Sequence, residues 1–430
     1  MRLTRIAPLS AAVLALLAPT AASASGVPAP THDGGWTYRN PAAIGGGLNL
    51  GGFSDLVPAD DSGREFWTIT DRGPNADAPA DTDKIFLKPD YTPQILRIRL
   101  TRDGGIEIVR RIPLRVPRGQ ADPVTGTRFL TGLPPAALTA ERPVDVHGAA
   151  LPNDPYGVDS EGLVRAPDGS FWVSSEYGSS VLHFSAQGVL DTVLVPAGST
   201  FGAPGARVLP ILPAIEAKQK NNKGLEGLTI SADGRTLYAA QQTQLANPDA
   251  KAAKKSLVQR VFRIDIGHRT PSVTGEFAFL READSATDGG WSTSSVNWLG
   301  TDRLLVEERD ALRPTAHTRL FEVDFRAATN LLGTRWDDPA TVPALELDAS
   351  SVTVGTKRLV FDAAAAGVPN GKLEGIALRP AGHGTAELYL VDDNDFGVDS
   401  FKDGAVVPNN ADTRVDRYTL PKGTVQIDRH

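Results

Sequence analysis

One phrase, repeated along the chain, limits the possible folds more than any other feature. An acidic residue opens a short strand and is followed by Gly or a small residue and then apolar residues. After a turn comes a second strand, rich in aromatic and β-branched residues, which ends in acid. The phrase is clearest at Asp159-Ser160-Glu161-Gly162-Leu163, followed by the turn Asp168-Gly169 and a strand from Phe171 to Glu176. It recurs at Leu225-Glu226-Gly227-Leu228, followed by Asp233-Gly234 and Thr236 to Gln241, and at Leu373-Glu374-Gly375-Ile376, followed by Glu387 to Asp393. Looser copies are Phe53-Ser54-Asp55-Leu56 with Phe66 to Gly73, and Ser295-Val296-Asn297-Trp298 with Arg303 to Arg309.

Most copies add a third strand, as at 94–100, 180–184, 260–266, 319–325 and 414–420. Alternating apolar residues and β-branched content favour strands over helices. A unit of strand, turn, strand, loop, strand cannot bury its apolar face alone, so the copies must stack. The expected fold is all-β, a β-propeller of five to seven blades with six as the central value. The copies are spaced more widely than the roughly 40-residue blade of common propellers. Residues 105–150 and 336–365 therefore have room for further strands, whereas 202–222 and 247–256 read as loops.

Composition fits this reading. The chain has 42 Gly and 32 Pro, the supply that many tight turns require. Its 41% hydrophobic and 22% charged residues are those of a folded chain, not a disordered one. The net charge is −7 and there is no basic stripe, which argues against nucleic acid as a partner. Lys251, Lys254 and Lys255 read as a solvated loop. With no cysteine, thiol catalysis, disulfides and Cys-based zinc sites are excluded. Arg2 and Arg5, the apolar run from Ile6 to about Ala22, and Ala22-Ser23-Ala24 have the form of a secretory leader over 1–24. The expectation is a single domain over 25–430, secreted or periplasmic and monomeric, with no membrane span in the mature chain.

In a propeller the innermost strand of each blade lines the axis, so a residue repeated at one place in every blade points to one spot. Carboxylates gathered there repel one another unless a cation compensates them. Oxygen ligands without Cys favour a hard ion, Ca2+ before Mg2+. The candidate metal ligands are Asp55, Glu161, Glu226 and Glu374 from first strands, with Glu307 and Asp392 from second strands. Asp71 and Glu176, also on second strands, are candidates for a general base. Lys223 and Lys372 precede two of the phrases, and Arg72 and Arg309 lie beside acids, an arrangement suited to an anionic substrate.

Other chemistries lack their motifs. No Gly-x-Ser-x-Gly elbow and no phosphate-binding Gly-Lys-Ser/Thr loop occur. The segment Asp392 to Gly397 lacks the spacing of a helical calcium hand. The seven histidines are scattered, and only His147 lies near an acidic phrase. Trp67, Trp172 and Trp298 read as packing residues.

Gly52-Phe53-Ser54-Asp55-Leu56, Thr70-Asp71-Arg72-Gly73-Pro74-Asn75, Asp159-Ser160-Glu161-Gly162, Ser175-Glu176-Tyr177-Gly178, Leu225-Glu226-Gly227 and Leu373-Glu374-Gly375 together resemble the bacterial "esterase-like activity of phytase" family. The resemblance runs from about Gly45 to Leu420. It implies an exported propeller that hydrolyses phosphoric or carboxylic esters, with calcium held by axial carboxylates. From the acids and bases that lie side by side, the catalytic candidates are Asp71, Arg72, Glu176 and Arg309, and the candidates for binding a small ester or phosphate are Lys223, Lys372, Tyr177 and Asn75. A non-catalytic propeller that binds a ligand or partner and holds structural calcium is the alternative. A lactonase or sugar-oxidising propeller is a third reading.

Overall fold

The computed structural model describes residues 29–80, 82–283, 291–310, 317–369 and 371–428, so the expected leader lies outside the described residues. The chain is all-β. Among the described residues its only helical turns are short 3-10 segments, such as Ala214–Lys218 and Asp395–Gly397.

Five sheets follow one another along the sequence, and each winds outward from its first strand. The first contains Val57–Pro58, Glu65–Ile69, Gln94–Leu100 and Ile106–Pro113. The second contains Ser160–Arg165, Phe171–Ser175, Ser180–Phe184, Leu190–Pro196 and Arg207–Leu212. The third contains Leu225–Ile230, Thr236–Gln241, Val258–Asp265 and Ser272–Leu280. The fourth contains Ser292–Gly300, Arg303–Arg309, Thr318–Asp324 and Thr356–Asp362. The fifth contains Leu373–Pro380, Ala386–Asp392 and Arg414–Leu420, completed by the early strand Thr31–Thr37. That early strand runs antiparallel to the last, with Trp36 opposite Val415, and ties the two ends of the chain together.

The strand Arg207–Leu212 lies where the sequence reads as loop. It pairs in parallel with Leu190–Pro196 at the edge of its sheet, and Pro210 and its mostly part-exposed side chains conceal it from the alternation test. Of the two segments with room for strands, one supplies the outer strand Ile106–Pro113 and the other the outer strand Thr356–Asp362. Residues 142–144 join a small separate sheet with Asn75–Asp77 and Asp83–Phe86.

Five apolar clusters sit between sheets. Trp67, Ile95, Leu163 and Phe171 join the first and second sheets, and Trp172, Leu194, Leu228 and Phe262 the second and third. Val261, Phe277, Val296 and Leu304 join the third and fourth, and Leu299, Leu320, Ile376 and Leu388 the fourth and fifth. Phe66, Leu96, Ala377 and Tyr389 join the fifth to the first. Burial of these faces is the main favourable term in the fold. Trp67 meets Phe171 edge-on at 5.3 Å, across one such seam.

The acid-Gly phrase has a structural cause. In the second to fifth sheets the first strand carries one residue more than its partner at the phrase. The register passes from Ser160↔Ser175 to Leu163↔Val173, and from Leu225↔Gln241 to Gly227↔Ala240. It passes from Thr293↔Glu308 to Val296↔Val306, and from Leu373↔Asp392 to Gly375↔Val391. A bulge of this kind re-aims a side chain out of the alternating pattern. Glu161, Glu226 and Glu374 are the residues so re-aimed, and in the fourth sheet Ser294 and Ser295 take their place.

The glycine of the phrase makes room for the next first strand. A Cβ on Gly162 would lie 2.6 Å from the Leu228 nitrogen and 2.7 Å from the Glu226 carbonyl, and one on Gly375 would lie 2.6 Å from the Asp55 Cα. Because these are backbone atoms, Gly162→Ala is expected to destabilise the chain by about 1–3 kcal/mol. Gly202→Ala, with open space around it, should stay within about 0.5 kcal/mol of wild type. Urea unfolding of the two variants compares them, and equal midpoints would show that the sheets yield at Gly162.

Candidate metal centre and active site

The bulges and the ends of the second strands bring acids from three sheets to one place. Asp71, Asp159 and Glu161 each offer an oxygen within 4.8 Å of the others, and so do Glu161, Glu176 and Glu226. Asp71 is half-buried and the other four are buried. Glu161 belongs to both groups and is 8% exposed.

The donors around these acids are unevenly shared. Glu176 receives the most: Asn222 Nδ2 at 2.6 Å, Lys223 Nζ at 3.4 Å, and Gln242 Nε2. The same Gln242 nitrogen donates to Glu226 at 2.9 Å. Arg72 Nη1 donates to Glu141 at 2.9 Å and to Asn222 at 3.1 Å, and lies 3.1 Å from Asp159. Asp71 accepts the Arg72 backbone N–H. Among the described residues Glu161 has no hydrogen-bond donor and no cation of its own.

Proton affinities follow this distribution. Burial, reinforced by Asp159, holds the Asp71 carboxyl well above the ordinary range. Burial raises Asp159 to about 6 against the pull of Arg72. Burial and the facing Glu226 push Glu161 well up, and burial with Glu176 and Glu374 does the same to Glu226. Burial also acts on Glu176, but Lys223 and Arg72 outweigh it and hold this carboxyl below its usual value.

The fourth and fifth sheets carry their own cations. Arg309 pairs with Glu374 and donates to Ser294 Oγ at 3.2 Å. Lys372 lies 3.0 Å from Glu374, 2.8 Å from Asp393 and 2.7 Å from Asp395. The residues from Asp392 onward thus hold a lysine, through Asp393 and Asp395, in a turn with positive φ at Asp395 and Phe396. The sequence sets Arg72 beside Asp71 and Arg309 beside Glu307. The structure pairs these arginines with Glu141 and Asp159, and with Glu374, because the neighbouring loop and sheet present those acids.

Of the six candidate metal ligands, Glu161 and Glu226 meet in one group, joined there by Glu176 and linked through Glu161 to Asp71. Asp55 is buried, where it accepts Leu56 N–H at 2.8 Å, Leu163 N–H at 2.7 Å and Ser295 Oγ–H at 3.1 Å. It thereby ties three first strands together, and burial raises it to about 7. Glu374 is bound to Arg309 and Lys372. Glu307 is fully buried, with burial raising it to about 8. Asp392 borders a separate 180 Å³ cavity with Asn410 and Arg414, and burial raises it to about 7.

Of the candidate substrate-binding residues, Lys223 borders a polar cavity of 470 Å³, together with Asn222, Glu141 and Lys84. Lys372 is held by its three acids. Tyr177 is buried and donates its hydroxyl to Gly132 O at 2.9 Å. Asn75 donates to Gly73 O at 2.9 Å. His147 sits in an exposed turn, where its N–H donates to Asp145. Asp159, Asn222, Gln242 and Glu141 were not picked out as site residues by the sequence. Asp159 alone carried a signal, since it opens the clearest copy of the phrase.

The family model for phytase-like proteins, described as esterase-like activity of phytase, matches residues 48–396. The chain belongs to this phytase-like family. The match includes every residue of the two carboxylate groups. A relative described as an uncharacterized secreted protein, from Arthroderma benhamiae, is 31% identical over 198 residues. That alignment spans 38% of this chain and 38% of the relative. Among solved structures, the chain is similar to the catalytic domain of a GH62 α-L-arabinofuranosidase from Coprinopsis cinerea, at 9% identity and a TM-score of 0.43, covering 94% of this chain and all of that one. It is also similar to virginiamycin B lyase from Staphylococcus aureus, at 10% identity and a TM-score of 0.28, covering 86% and 95%. Among the described residues of the phytase-like chain, no helix is long and apolar enough to cross a membrane.

Proposed function

We propose that this phytase-like chain is a secreted, calcium-dependent hydrolase of small polar esters, phosphoric or carboxylic. Its five sheets are read as the blades of one propeller domain over 25–430, behind a leader at 1–24. The observation that carries the reading is the set of buried carboxylates shared among three sheets, one of which, Glu176, is held by Asn222 and Lys223 from the lining of a polar cavity.

Glu161, Glu176 and Glu226, with Asp71 and Asp159, are the residues that would hold metal. Their all-oxygen donor set suits a hard divalent cation. When bound, such an ion supplies positive charge to polarise an ester oxygen and to lower the pKa of water. The chain's own side chains divide the remaining work. Lys223, whose side chain is 42% exposed, meets the anionic part of a substrate. Asn222, fixed between Arg72 and Glu176, presents an amide beside it. Asp71 is more open than the other four acids and is placed to take or return a proton at its carboxylate. Among the described residues, Ala78 and Ala80 are the only apolar side chains bordering the cavity, which favours a polar substrate over one with a long acyl chain.

The test is hydrolysis of a panel of phosphate monoesters and short carboxylic esters before and after chelation. Cleavage should fall more than about 100-fold on chelation, the scale on which metal-site defects act, and should return with Ca2+. Cleavage that ignores chelation, or none at all from the calcium-loaded chain, would overturn the proposal.

A further inference from the structure

We infer that the acidic site has two cation positions that share Glu161 as a common ligand. This rests on the metal-dependent reading above and adds the number of ions and their arrangement. Calcium binds oxygens at roughly 2.3–2.6 Å, so two ligands on opposite sides of one ion lie about 5 Å apart. Each of the two carboxylate groups meets that limit, with its oxygens within 4.8 Å of one another. The five acids do not meet it as a single group, so one ion cannot touch all of them. Two ions can, one held by Asp71, Asp159 and Glu161 and the other by Glu161, Glu176 and Glu226.

A second observation points the same way. Glu161 is more than nine-tenths buried, projects into both groups, and has no donor or cation among the described residues. A buried carboxylate in that state is costly unless something compensates it. Its neighbours are not so bare: Arg72 lies 3.1 Å from Asp159, though neither Asp159 oxygen has a hydrogen-bond partner among the described residues, and Glu176 has Lys223, Asn222 and Gln242. The protein's internal cations thus lie beside one other member of each group, Asp159 and Glu176, and none pairs with the shared member among the described residues. Lys372 and Arg309 already neutralise Glu374, so no third position arises there.

Calorimetric titration of the chelated, purified chain with Ca2+ tests this, with circular dichroism as the check on folding. Wild type should bind two ions per chain. Asp159→Asn and Glu226→Gln should each retain one, and Glu161→Gln should weaken both. Mn2+ offers a measurement that needs no stable variant: two ions bridged by a carboxylate give an exchange-coupled paramagnetic resonance spectrum. One bound ion in wild type, with an uncoupled Mn2+ spectrum, would overturn the shared site and leave the metal-dependent reading standing. No bound ion would overturn both.

Discussion

Glu226→Gln should abolish ion-dependent hydrolysis, by more than about 100-fold, and should move stability in opposite directions with and without the ion. The side chain belongs to the group that includes Glu161 and Glu176, and it already accepts one hydrogen bond from Gln242. Glutamine keeps the shape and removes a carboxyl whose charged form burial and the neighbouring Glu176 oppose. In the chelated chain this relieves repulsion with Glu176, so the thermal midpoint should rise. In the calcium-loaded chain the sign reverses. An ion at 100 times its dissociation constant adds about 2.7 kcal/mol to the folded state, and the variant forfeits that gain at the site it damages. Thermal midpoints of both proteins, with calcium and with chelator, give the four values needed. A variant destabilised equally in both conditions would mean that Glu226 serves the fold and not an ion. Full activity in the variant would remove Glu226 from the site altogether.

The strands and the acid-Gly phrase were legible in the sequence because both are local. Gln94–Leu100 and Arg414–Leu420 fall where alternation put them. Glu161, Glu226 and Glu374 stood out because a bulge needs a small residue beside the re-aimed acid, so each acid brings its glycine with it. The fate of the three acids was not legible, because the phrase is the same in all of them. What separates Glu161 from Glu374 is the cation delivered by the neighbouring sheet: Arg309 reaches Glu374 across 65 residues of sequence, and among the described residues no cation reaches Glu161. Spacing along the chain carries no trace of such a contact. Nor did it reveal Gln242 and Asn222, neutral residues whose role comes only from the carboxylates they face. Asp55 shows the converse. The sequence makes it a candidate ligand, yet two backbone N–H groups and Ser295 take up its oxygens.

The largest loss of stability should come from a different buried charge, one the site does not use. Arg260, 1% exposed, donates from Nε and Nη2 to Glu346 at 3.0 and 2.8 Å, and from Nη1 to Glu276 and to the Trp336 carbonyl. Asn247 completes the arrangement by donating to the other Glu346 oxygen at 2.8 Å. Arg260→Met nearly preserves volume but leaves Glu276 and Glu346 buried without their cation. Removing one partner of such a pair costs about 3–5 kcal/mol, and the urea midpoint should fall accordingly. The deficit should be greater at pH 8 than at pH 5. Burial, reinforced by Asp337, already holds the Glu276 carboxyl well above its usual value despite Arg260. Without the arginine this acid keeps its proton in the folded chain over a wider range than in the unfolded one. Stability is then lost as pH rises past the ordinary carboxylate range. Replacing all three partners, Arg260→Met with Glu276→Leu and Glu346→Leu, removes the uncompensated charges and should recover most of the loss, since apolar substitutes for a whole buried ionic group are often neutral or stabilising. If the single variant loses less than about 1 kcal/mol, the range of an ordinary hydrogen bond, then water reaches these carboxylates and the cluster is not the dry ionic core its burial describes.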